Sequence, residues 1–277
     1  MLFRSVLKLE CAEILNHGVF YRGNYRSAKS EFVYVSDGKT RLIHPHFTFF
    51  GFRYIRVSGP DTIDSDCFVG RAVYSELERV GFIETSHKKL NRLYLNSLWG
   101  LKSNYLDMPT DCPQRDERLG WCGDVLNPSG TASFHMDTQA FLQKYLRDVY
   151  TDQLRNGGMV AYYLPNTTQG ITSSPGADIA AWLPDILYRY YGNKEALRRN
   201  YAMMKAWVDY IHTRDVSRGT QNLYNFELQL GDWVALDGVT DVSVYGRTEE
   251  NYISSMCYYA SAKTVSKAAG IDRKSVV

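Results

Sequence analysis

The hydrophobic pattern of the chain changes its period near residue 80, and this change limits the folds available to it. Before that point, short runs of β-branched and aromatic residues lie between turn signals, which is typical of antiparallel strands. After it, apolar residues recur every three or four positions over long segments, which is typical of amphipathic helices. The sequence therefore predicts a β region followed by an α region, in a mainly α protein.

Strands are predicted in the β region at three runs, 19–21, 31–35 and 47–50, and at a segment of alternating polarity, 52–57. The turn residues Asn16-His17-Gly18 and Ser36-Asp37-Gly38 lie between them. A sheet made of these strands alone would have an unpaired edge. We therefore expect residues 6–78 to be the C-terminal part of a β-sandwich domain.

Five segments of the α region each carry one apolar face with helical spacing, and no strand of comparable strength lies between them. Their polar and aromatic linkers are long, and such loops at one end of a helical scaffold often carry binding and catalysis. We expect residues 79–271 to form one α domain. The five faces consist of Leu90, Leu93, Tyr94, Ser97 and Leu98; Phe141, Leu142, Tyr145, Leu146 and Val149; Ile179, Trp182, Leu183, Ile186 and Leu187; Leu197, Tyr201, Met204, Val208 and Ile211; and Ile253, Met256, Cys257, Ala260 and Val265.

Charge and composition exclude several classes of protein. With 32 basic and 30 acidic residues, the chain has no basic excess to neutralise phosphates, so we expect no nucleic-acid partner. It contains no apolar run of ~18 residues, so we expect no membrane span. The 5 cysteines are scattered and odd in number, which does not suggest a disulfide framework and favours a reducing, cytoplasmic location.

The two ends of the chain have an unusual origin in our interpretation. Residues 1–5 and 272–277 are the peptides that common sequencing-adapter DNA encodes when it is translated. We therefore expect these residues to be non-native. On that view the native residues, 6–271, are an internal piece of a longer protein.

Chemically informative residues are concentrated in the segment 111–124. It holds four carboxylates, two arginines and a tryptophan, while a proline and two glycines oppose a continuous helix. Crowded carboxylates near arginine acquire different pKa values, so that one can donate a proton while others stay ionised and bind hydroxyl groups. The tryptophan offers an apolar face for a sugar ring. The alternative is a solvated, salt-bridged turn.

The segment 108–124 closely resembles the signature of the bacterial α-L-rhamnosidases of glycoside hydrolase family 78. The segments 21–29 and 47–54 resemble the β-sandwich that precedes the catalytic domain in that family. Residues 90–94 resemble its first barrel helix, and 231–233 resemble a later active-site loop. The resemblance covers nearly all of residues 6–271.

This resemblance implies a partial β-sandwich followed by the N-terminal part of an (α/α)6 barrel, incomplete because only five of twelve long helices are predicted. It also implies an inverting hydrolase that releases terminal α-L-rhamnose from plant glycosides or polysaccharides. Glu117 would be the general acid. Arg115 and Arg118 would oppose its protonation, so one of them must be turned away or committed to another carboxylate.

The resemblance assigns the remaining site residues to sugar binding. Asp111, Arg115 and Asp124 would hold rhamnose hydroxyls, Trp121 would lie against the sugar, and Asp232 and Trp233 would contribute from the neighbouring loop. Asp178 is a further candidate, but the tryptophan that often precedes it in the family is absent here. Because a predicted helix starts at Asp178, a helix cap is the alternative.

The family's general base is a glutamate further along than this chain extends. Glu249 and Glu250 are the available substitutes, although acidic residues at the start of a helix also suit the helix dipole. We therefore expect the 277-residue chain to be inactive and poorly folded. The alternatives are a non-catalytic remnant that binds rhamnose or another carbohydrate, and a purely structural module.

No cofactor is implied, because both the acid and the base are side chains. A metal site is also not predicted. Cys112, Cys122 and His135 lack the short paired spacing of zinc ligands and are expected to pack in the core. His44 and His46 could share one face of a strand, but a solvated face is the simpler interpretation. The oligomeric state is left open.

Overall fold

The computed structural model describes residues 3–59, 63–168, 170–219, 222–238 and 243–271. A β region comes first and a helical region follows, and 44% of the chain is helical, which confirms the predicted mainly α class. Of the terminal residues expected to be non-native, 1, 2 and 272–277 lie outside the described residues. The non-native origin of residues 1–5 and 272–277 stays a prediction.

The described part of the β region contains five strands in two small antiparallel sheets. The three-stranded sheet has the order β4-β1-β5, with Lys8 opposite both Val33 and Ser58, and β2 pairs with β3 as a hairpin. The predicted strands at 19–21 and 31–35 are confirmed. The strands are β1 (Val6–Ala12), β2 (Ile14–Asn16), β3 (Val19–Tyr21), β4 (Glu31–Val35) and β5 (Tyr54–Ser58).

The strand predicted at 47–50 is wrong. Its aromatic composition favours a strand, but Phe47 has a φ of 55°, which interrupts an extended backbone. The segment is an open loop instead, and Phe47 is fully exposed. The alternating segment that follows does form β5, although all of its residues are exposed.

The helical region contains seven helices and two short strand pairs among the described residues. The helices are α1 (Lys88–Asn104), α2 (Cys122–Leu126), α3 (Ser129–His135), α4 (Gln139–Arg155), α5 (Ile179–Tyr191), α6 (Lys194–Ser217) and α7 (Glu250–Ile271). The strand pairs are β6 (Tyr105–Leu106) with β7 (Met108–Pro109), and β8 (Gly120–Trp121) with β9 (Tyr163–Leu164). α5 packs against α4, α6 and α7 and so lies at the centre of the core.

The predicted apolar faces agree with the core to different degrees. All five predicted residues of α4 are buried, as are Leu183 and Leu187 of α5. α1 is different, because Leu90 and Leu93 are 53% and 63% exposed while Tyr94, Leu98 and Leu101 are buried. Leu93 projects about 100° away from Tyr94 around the helix axis, and Leu90 lies at the exposed N-terminal end.

Local hydrogen bonds define the end of α5 and the start of α6. Gly192 ends α5 with a left-handed φ of 64°, a conformation that glycine adopts without cost, and its N–H donates to the Tyr188 carbonyl oxygen at 2.8 Å. The Asn193 side chain then accepts from Glu195 N at 3.0 Å and caps α6. No described helix is long and apolar enough to cross a membrane, and the five cysteines are free thiols.

The connection between β7 and β8, which contains the segment 111–124, lies against the β region. Its backbone passes so close to Gly51 that a Cβ atom there would lie 2.9 Å from the carbonyl carbon of Pro113. Gly51 is held in turn by Tyr25, a fully buried residue whose hydroxyl donates to the Gly51 carbonyl oxygen at 2.6 Å. The two regions of the fold therefore meet at this segment.

Candidate active site

Asp111 closes the base of the charged loop. Its Oδ1 accepts from Leu119 N at 2.9 Å, and its own backbone N–H donates to the Leu119 carbonyl oxygen at 3.1 Å. The Asp111 side chain is only 4% exposed, so these contacts hold a carboxylate in a largely desolvated place. The loop between residues 111 and 119 is therefore a closed, ordered structure, as its sequence predicts.

Glu117 lies between two arginines that come from different regions of the fold. Its Oε2 is 2.9 Å from Nη1 of Arg26 in the β region and 3.4 Å from Nη2 of Arg115 in its own loop. Arg115 also pairs with Asp111, whose Oδ2 is 3.1 Å from the same Nη2. Arg115 thus links the two carboxylates for which the sequence predicts different roles.

The other charged groups of the loop are turned towards the β region. Asp116 accepts from the backbone N–H of Ser27 at 3.2 Å and from the Ser27 hydroxyl, and these bonds lower the pKa of Asp116. Arg118 donates to the Phe49 carbonyl oxygen at 3.4 Å and lies 5.4 Å from the Phe49 ring centre. Of Arg115 and Arg118, Arg118 is therefore the one that contacts another group and not Glu117.

Asp124, in the first turn of α2, has an altered protonation equilibrium. Its side chain is accessible to solvent, yet the surrounding protein partly desolvates it, and the negative charges of Asp111 and Glu117 act in the same direction. Together these effects raise the pKa of Asp124 although Arg115 opposes them. The geometry therefore brings Asp111, Arg115, Glu117 and Asp124 into one electrostatic group.

Trp121 belongs to a small aromatic cluster beside these charges. Its backbone pairs with Tyr163 in the β8–β9 ladder, and its ring lies 4.8 Å from the Tyr162 ring and 5.0 Å from the Tyr163 ring. The indole is half-buried, and its Nε1 has no hydrogen-bond partner among the described residues. This position is compatible with the predicted contact to a sugar.

Asp178 does not lie in a position to contact a sugar. The residue is fully buried, and its carboxylate accepts from Ser174 Oγ at 2.6 Å, Trp207 Nε1 at 3.0 Å and Ser261 Oγ at 2.5 Å. It makes no side-chain capping bond to α5 either. Both sequence interpretations of Asp178 are therefore corrected, because its carboxylate is used to join elements of the core.

Asp232 and Trp233 lie in a separate loop that precedes α7. Trp233 is 52% exposed, and its ring meets that of Tyr245 edge-on at 5.6 Å. Across the described part of the chain, no hydrogen bond or ion pair joins these two residues to the segment 111–124. Residues 239–242 of the same loop lie outside the described residues, and the predicted sugar contact of Asp232 and Trp233 stays a prediction.

One group of potential metal-ligand atoms occurs in the described residues, formed by Asp111, Cys112 and Glu117 within 4.8 Å of one another. Arg115 already occupies this group, because it pairs with both carboxylates. A guanidinium supplies the positive charge that these donors need, so the donor set does not call for a metal ion. Cys122 is buried separately and its Sγ contacts the Ala161 carbonyl oxygen at 3.2 Å.

Sequence reasoning missed the contribution of the β region to this site. Arg26 and Ser27 contact residues that are 91 and 89 positions away, and Gln114 Nε2 donates to Glu13 Oε2 at 2.8 Å across 101 positions. No local pattern can indicate such partners. The available signal was that residues 21–29 belong to the segments that carry the family resemblance.

Models of two known family domains match this chain. The family model of the bacterial alpha-L-rhamnosidase 6 hairpin glycosidase domain matches residues 78–275. The model of the bacterial alpha-L-rhamnosidase concanavalin-like domain matches residues 3–74. The chain belongs to the bacterial α-L-rhamnosidases of glycoside hydrolase family 78. The predicted fold class, part of a β-sandwich followed by part of a helical barrel, is thereby confirmed.

Individual relatives are named alpha-L-rhamnosidases as well. An alpha-L-rhamnosidase of Formosa agariphila is 35% identical over 274 residues, which are 96% of this chain and 29% of the relative. An alpha-L-rhamnosidase of an Alteromonas species is 36% identical over 232 residues, which are 82% of this chain and 24% of the relative. The chain therefore spans less than a third of the length of either relative.

Two solved structures show the same arrangement of elements. The alpha-L-rhamnosidase of Streptomyces avermitilis, complexed with L-rhamnose, superposes with a TM-score of 0.85 at 29% identity, over 98% of this chain and 25% of that one. The enzyme of Aspergillus terreus superposes with a TM-score of 0.83 at 30% identity, over 98% of this chain and 32% of that one.

Proposed function

We propose that this chain carries the rhamnose-binding and proton-donating part of an inverting α-L-rhamnosidase. Its substrates would be plant glycosides or polysaccharides that end in α-L-rhamnose. The observation that carries the proposal is the grouping of Asp111, Arg115 and Glu117 in one ordered loop, with Asp124 in the first turn of α2 after it. The membership of the chain in the α-L-rhamnosidase family supports the choice of sugar.

Glu117 is the proposed general acid. Its side chain is 20% exposed, so the carboxyl group can reach a ligand while two arginines limit its movement. Protonation of the glycosidic oxygen allows the C1–O bond to break with its electron pair on the leaving oxygen. Glu117 would then be left as a carboxylate beside Arg26 and Arg115, which stabilise its charge.

The other members of the group would bind the sugar. Arg115 is 32% exposed and can offer N–H donors to a hydroxyl oxygen while it stays paired with Asp111. Asp124 is accessible to solvent and can hydrogen-bond to a hydroxyl group in either protonation state. Trp121 provides an apolar ring surface beside them, and such faces suit the C–H groups of a sugar.

The proposal assigns the general base to no residue of this chain. An inverting enzyme needs a second carboxylate on the opposite face of the sugar, about 6.5–9.5 Å from the acid, to activate a water molecule. Glu249 is committed elsewhere, because its Oε2 accepts from Tyr252 N at 2.7 Å at the start of α7. Glu250 begins α7 and packs closely against Gly231.

The commitment of Glu249 also favours a second candidate, a protein that binds rhamnose without hydrolysing it. The two candidates are separated by turnover in the presence of sodium azide. Azide can attack C1 without help from a base and displace a phenol, so a site with a working acid would release phenol and form a rhamnosyl azide. A binding protein would release none.

The experiment uses the 277-residue chain, an aryl α-L-rhamnoside, and calorimetric titration with L-rhamnose. Phenol release that requires azide and is lost in Glu117→Gln supports the proposal, and release without azide would show that a base lies within the chain. Rhamnose binding without release would favour the binding protein. Absence of binding by a chain that unfolds cooperatively in urea would contradict both. The matched control is Asp209→Asn, which changes a carboxylate that pairs with Lys205 on the surface of α6.

A further inference from the structure

The shortest ion pair of Glu117 is made with Arg26, a residue of the β region. We propose that Arg26 is a positioning residue that fixes which oxygen of Glu117 carries the proton delivered to the leaving group. This inference rests on the proposed role of Glu117 as the general acid. It makes the β region a working part of the active site, and not only a neighbour of it.

The two oxygens of Glu117 have different surroundings. Oε2 faces both guanidinium groups, at 2.9 Å from Arg26 and 3.4 Å from Arg115. Oε1 has no hydrogen bond or ion pair to any residue that the structure describes. A guanidinium can only donate hydrogen bonds, so Oε2 must accept them in either protonation state. The proton of the neutral acid is therefore placed on Oε1.

This placement accounts for the proton in the step, while the new bond to C1 is formed by the incoming nucleophile, water or azide, from the opposite face of the sugar. The proton on Oε1 passes to the glycosidic oxygen while the C1–O bond breaks, and the electron pair of that bond stays on the leaving oxygen. The negative charge that remains on Glu117 is shared with Oε2, where the two guanidinium groups lie. Donors aimed at the atom on which charge develops stabilise the transition state more than the ground state.

The backbone at Arg26 is held in place on both sides. Arg26 has a φ of 57° and a ψ of −122°, in a region that favours glycine, so the turn must be held by its neighbours. Tyr25 holds one side through its buried hydroxyl bond to Gly51, and Ser27 holds the other through its two bonds to Asp116.

Asp116, the neighbouring carboxylate, does not replace Glu117 as the main partner of Arg26. Asp116 is drawn towards Ser27, and its nearest oxygen is 3.9 Å from Nη1 of Arg26, a full ångström further than that of Glu117. Arg26 is 56% exposed, so the pair is expected to contribute little to the free energy of unfolding. Its effect should therefore be on the orientation of Glu117 and not on stability.

The first test asks whether Arg26 controls the surroundings of the Glu117 carboxyl group. The 277-residue chain is labelled with ¹³C in its glutamate carboxyl groups, and the Glu117 resonance is assigned by its loss in Glu117→Gln. We expect Arg26→Gln to move this resonance and Arg26→Lys to move it less. The matched control is Arg41→Gln, since Arg41 is 53% exposed and pairs with Asp37 at 2.7 Å in the same region. An unmoved resonance in Arg26→Gln overturns the inference.

The second test measures phenol release with azide from two aryl rhamnosides, one with an acidic and one with a weakly acidic phenol. A misplaced general acid matters most when the leaving group needs the proton. We expect Arg26→Gln to lower release of the weakly acidic phenol about 10- to 100-fold, with a much smaller loss for the acidic one and partial rescue in Arg26→Lys. Equal losses for both phenols would refute the positioning role. If Glu117→Gln changes nothing, the proposed function fails, while the resonance test still decides the Arg26 contact.

Discussion

The indole N–H of Trp207 in α6 donates to Oδ1 of Asp178 at 3.0 Å in the middle of the helical core. The same oxygen accepts from Ser261 of α7 at 2.5 Å, and the other oxygen accepts from Ser174 at 2.6 Å. A single carboxylate at the start of α5 therefore joins two other helices and the loop before it. A residue that the sequence suggests for sugar binding instead holds the helices together.

Replacing Asp178 with alanine should destabilise the fold. The change leaves the buried Trp207 N–H and two serine hydroxyls without their acceptor, and each unsatisfied buried group costs about 1–3 kcal/mol. Urea unfolding should show a loss of at least about 2 kcal/mol. The comparison is Asp209→Ala, at an exposed position of α6. Similar midpoints for the two variants would argue against a central role for Asp178.

Asp178 should also impose a pH dependence on stability. Burial raises the pKa of Asp178 above its ordinary value of 3.8, although the hydrogen bonds from Ser174, Ser261 and Trp207 act in the opposite direction. Between the two pKa values the folded chain keeps a proton that the unfolded chain has lost. The contribution of Asp178 to the free energy of unfolding is therefore complete below pH 3.8 and declines as the pH rises through the pKa of the folded state. The free energy of unfolding, measured against Asp178→Asn over an acidic pH series, should fall in that direction. A constant difference would show that the shift is absent.

Glu117→Gln should reduce turnover far more than it weakens rhamnose binding, because the proton is needed only in the transition state. Azide-supported release of a weakly acidic phenol should fall ~10²–10⁴-fold, and release of an acidic phenol should fall less. Titration with L-rhamnose measures binding separately. Equal losses for the two phenols would contradict the assignment of Glu117 as the general acid.

Asp111→Asn should weaken binding of rhamnose and loosen the loop. The change removes the charge that pairs with Arg115. It also leaves one amide oxygen where two carboxylate oxygens now accept from Arg115 and from the Leu119 N–H. Arg115 is 32% exposed and keeps Glu117 as a partner, so the loss should be smaller than the ~3–5 kcal/mol that breaking a fully buried pair costs. Calorimetric binding and urea unfolding should both record a loss, whereas unchanged stability would mean that Asp111 does not organise the loop.

Gly51→Ala should push the charged loop away from the β region. Its added methyl group would lie 2.9 Å from Pro113 and 3.0 Å from the Cβ of Gln114, which is too close for real atoms. Gly70→Ala is the matched control, because a Cβ there meets nothing within 4 Å. We expect only Gly51→Ala to weaken rhamnose binding. Equal affinities in the two variants would indicate that the loop does not depend on this contact.

The segment 111–124 could be identified from the sequence because its chemistry is local, with carboxylates, arginines and turn residues close together along the chain. The depth at which Asp178 is buried could not be predicted, since its position at the start of α5 is equally compatible with a surface cap. The partner of Glu117 was also unpredictable from spacing, because Arg26 approaches through the tertiary structure. Composition misled at 47–50, where the backbone conformation of Phe47 prevents a strand.

The Arg26–Glu117 contact has a practical consequence for anyone who divides this protein into modules. The two family matches meet between residues 74 and 78, which invites a cut there and treatment of the first part as an accessory. Such a truncation would keep Glu117, the proposed acid, and discard Arg26, one of the two arginines that the described structure places beside it, together with the Ser27 and Glu13 contacts to the same loop. When chimeras or variants of this protein are made, residues 13–51 and 111–124 should therefore be taken together from the same parent.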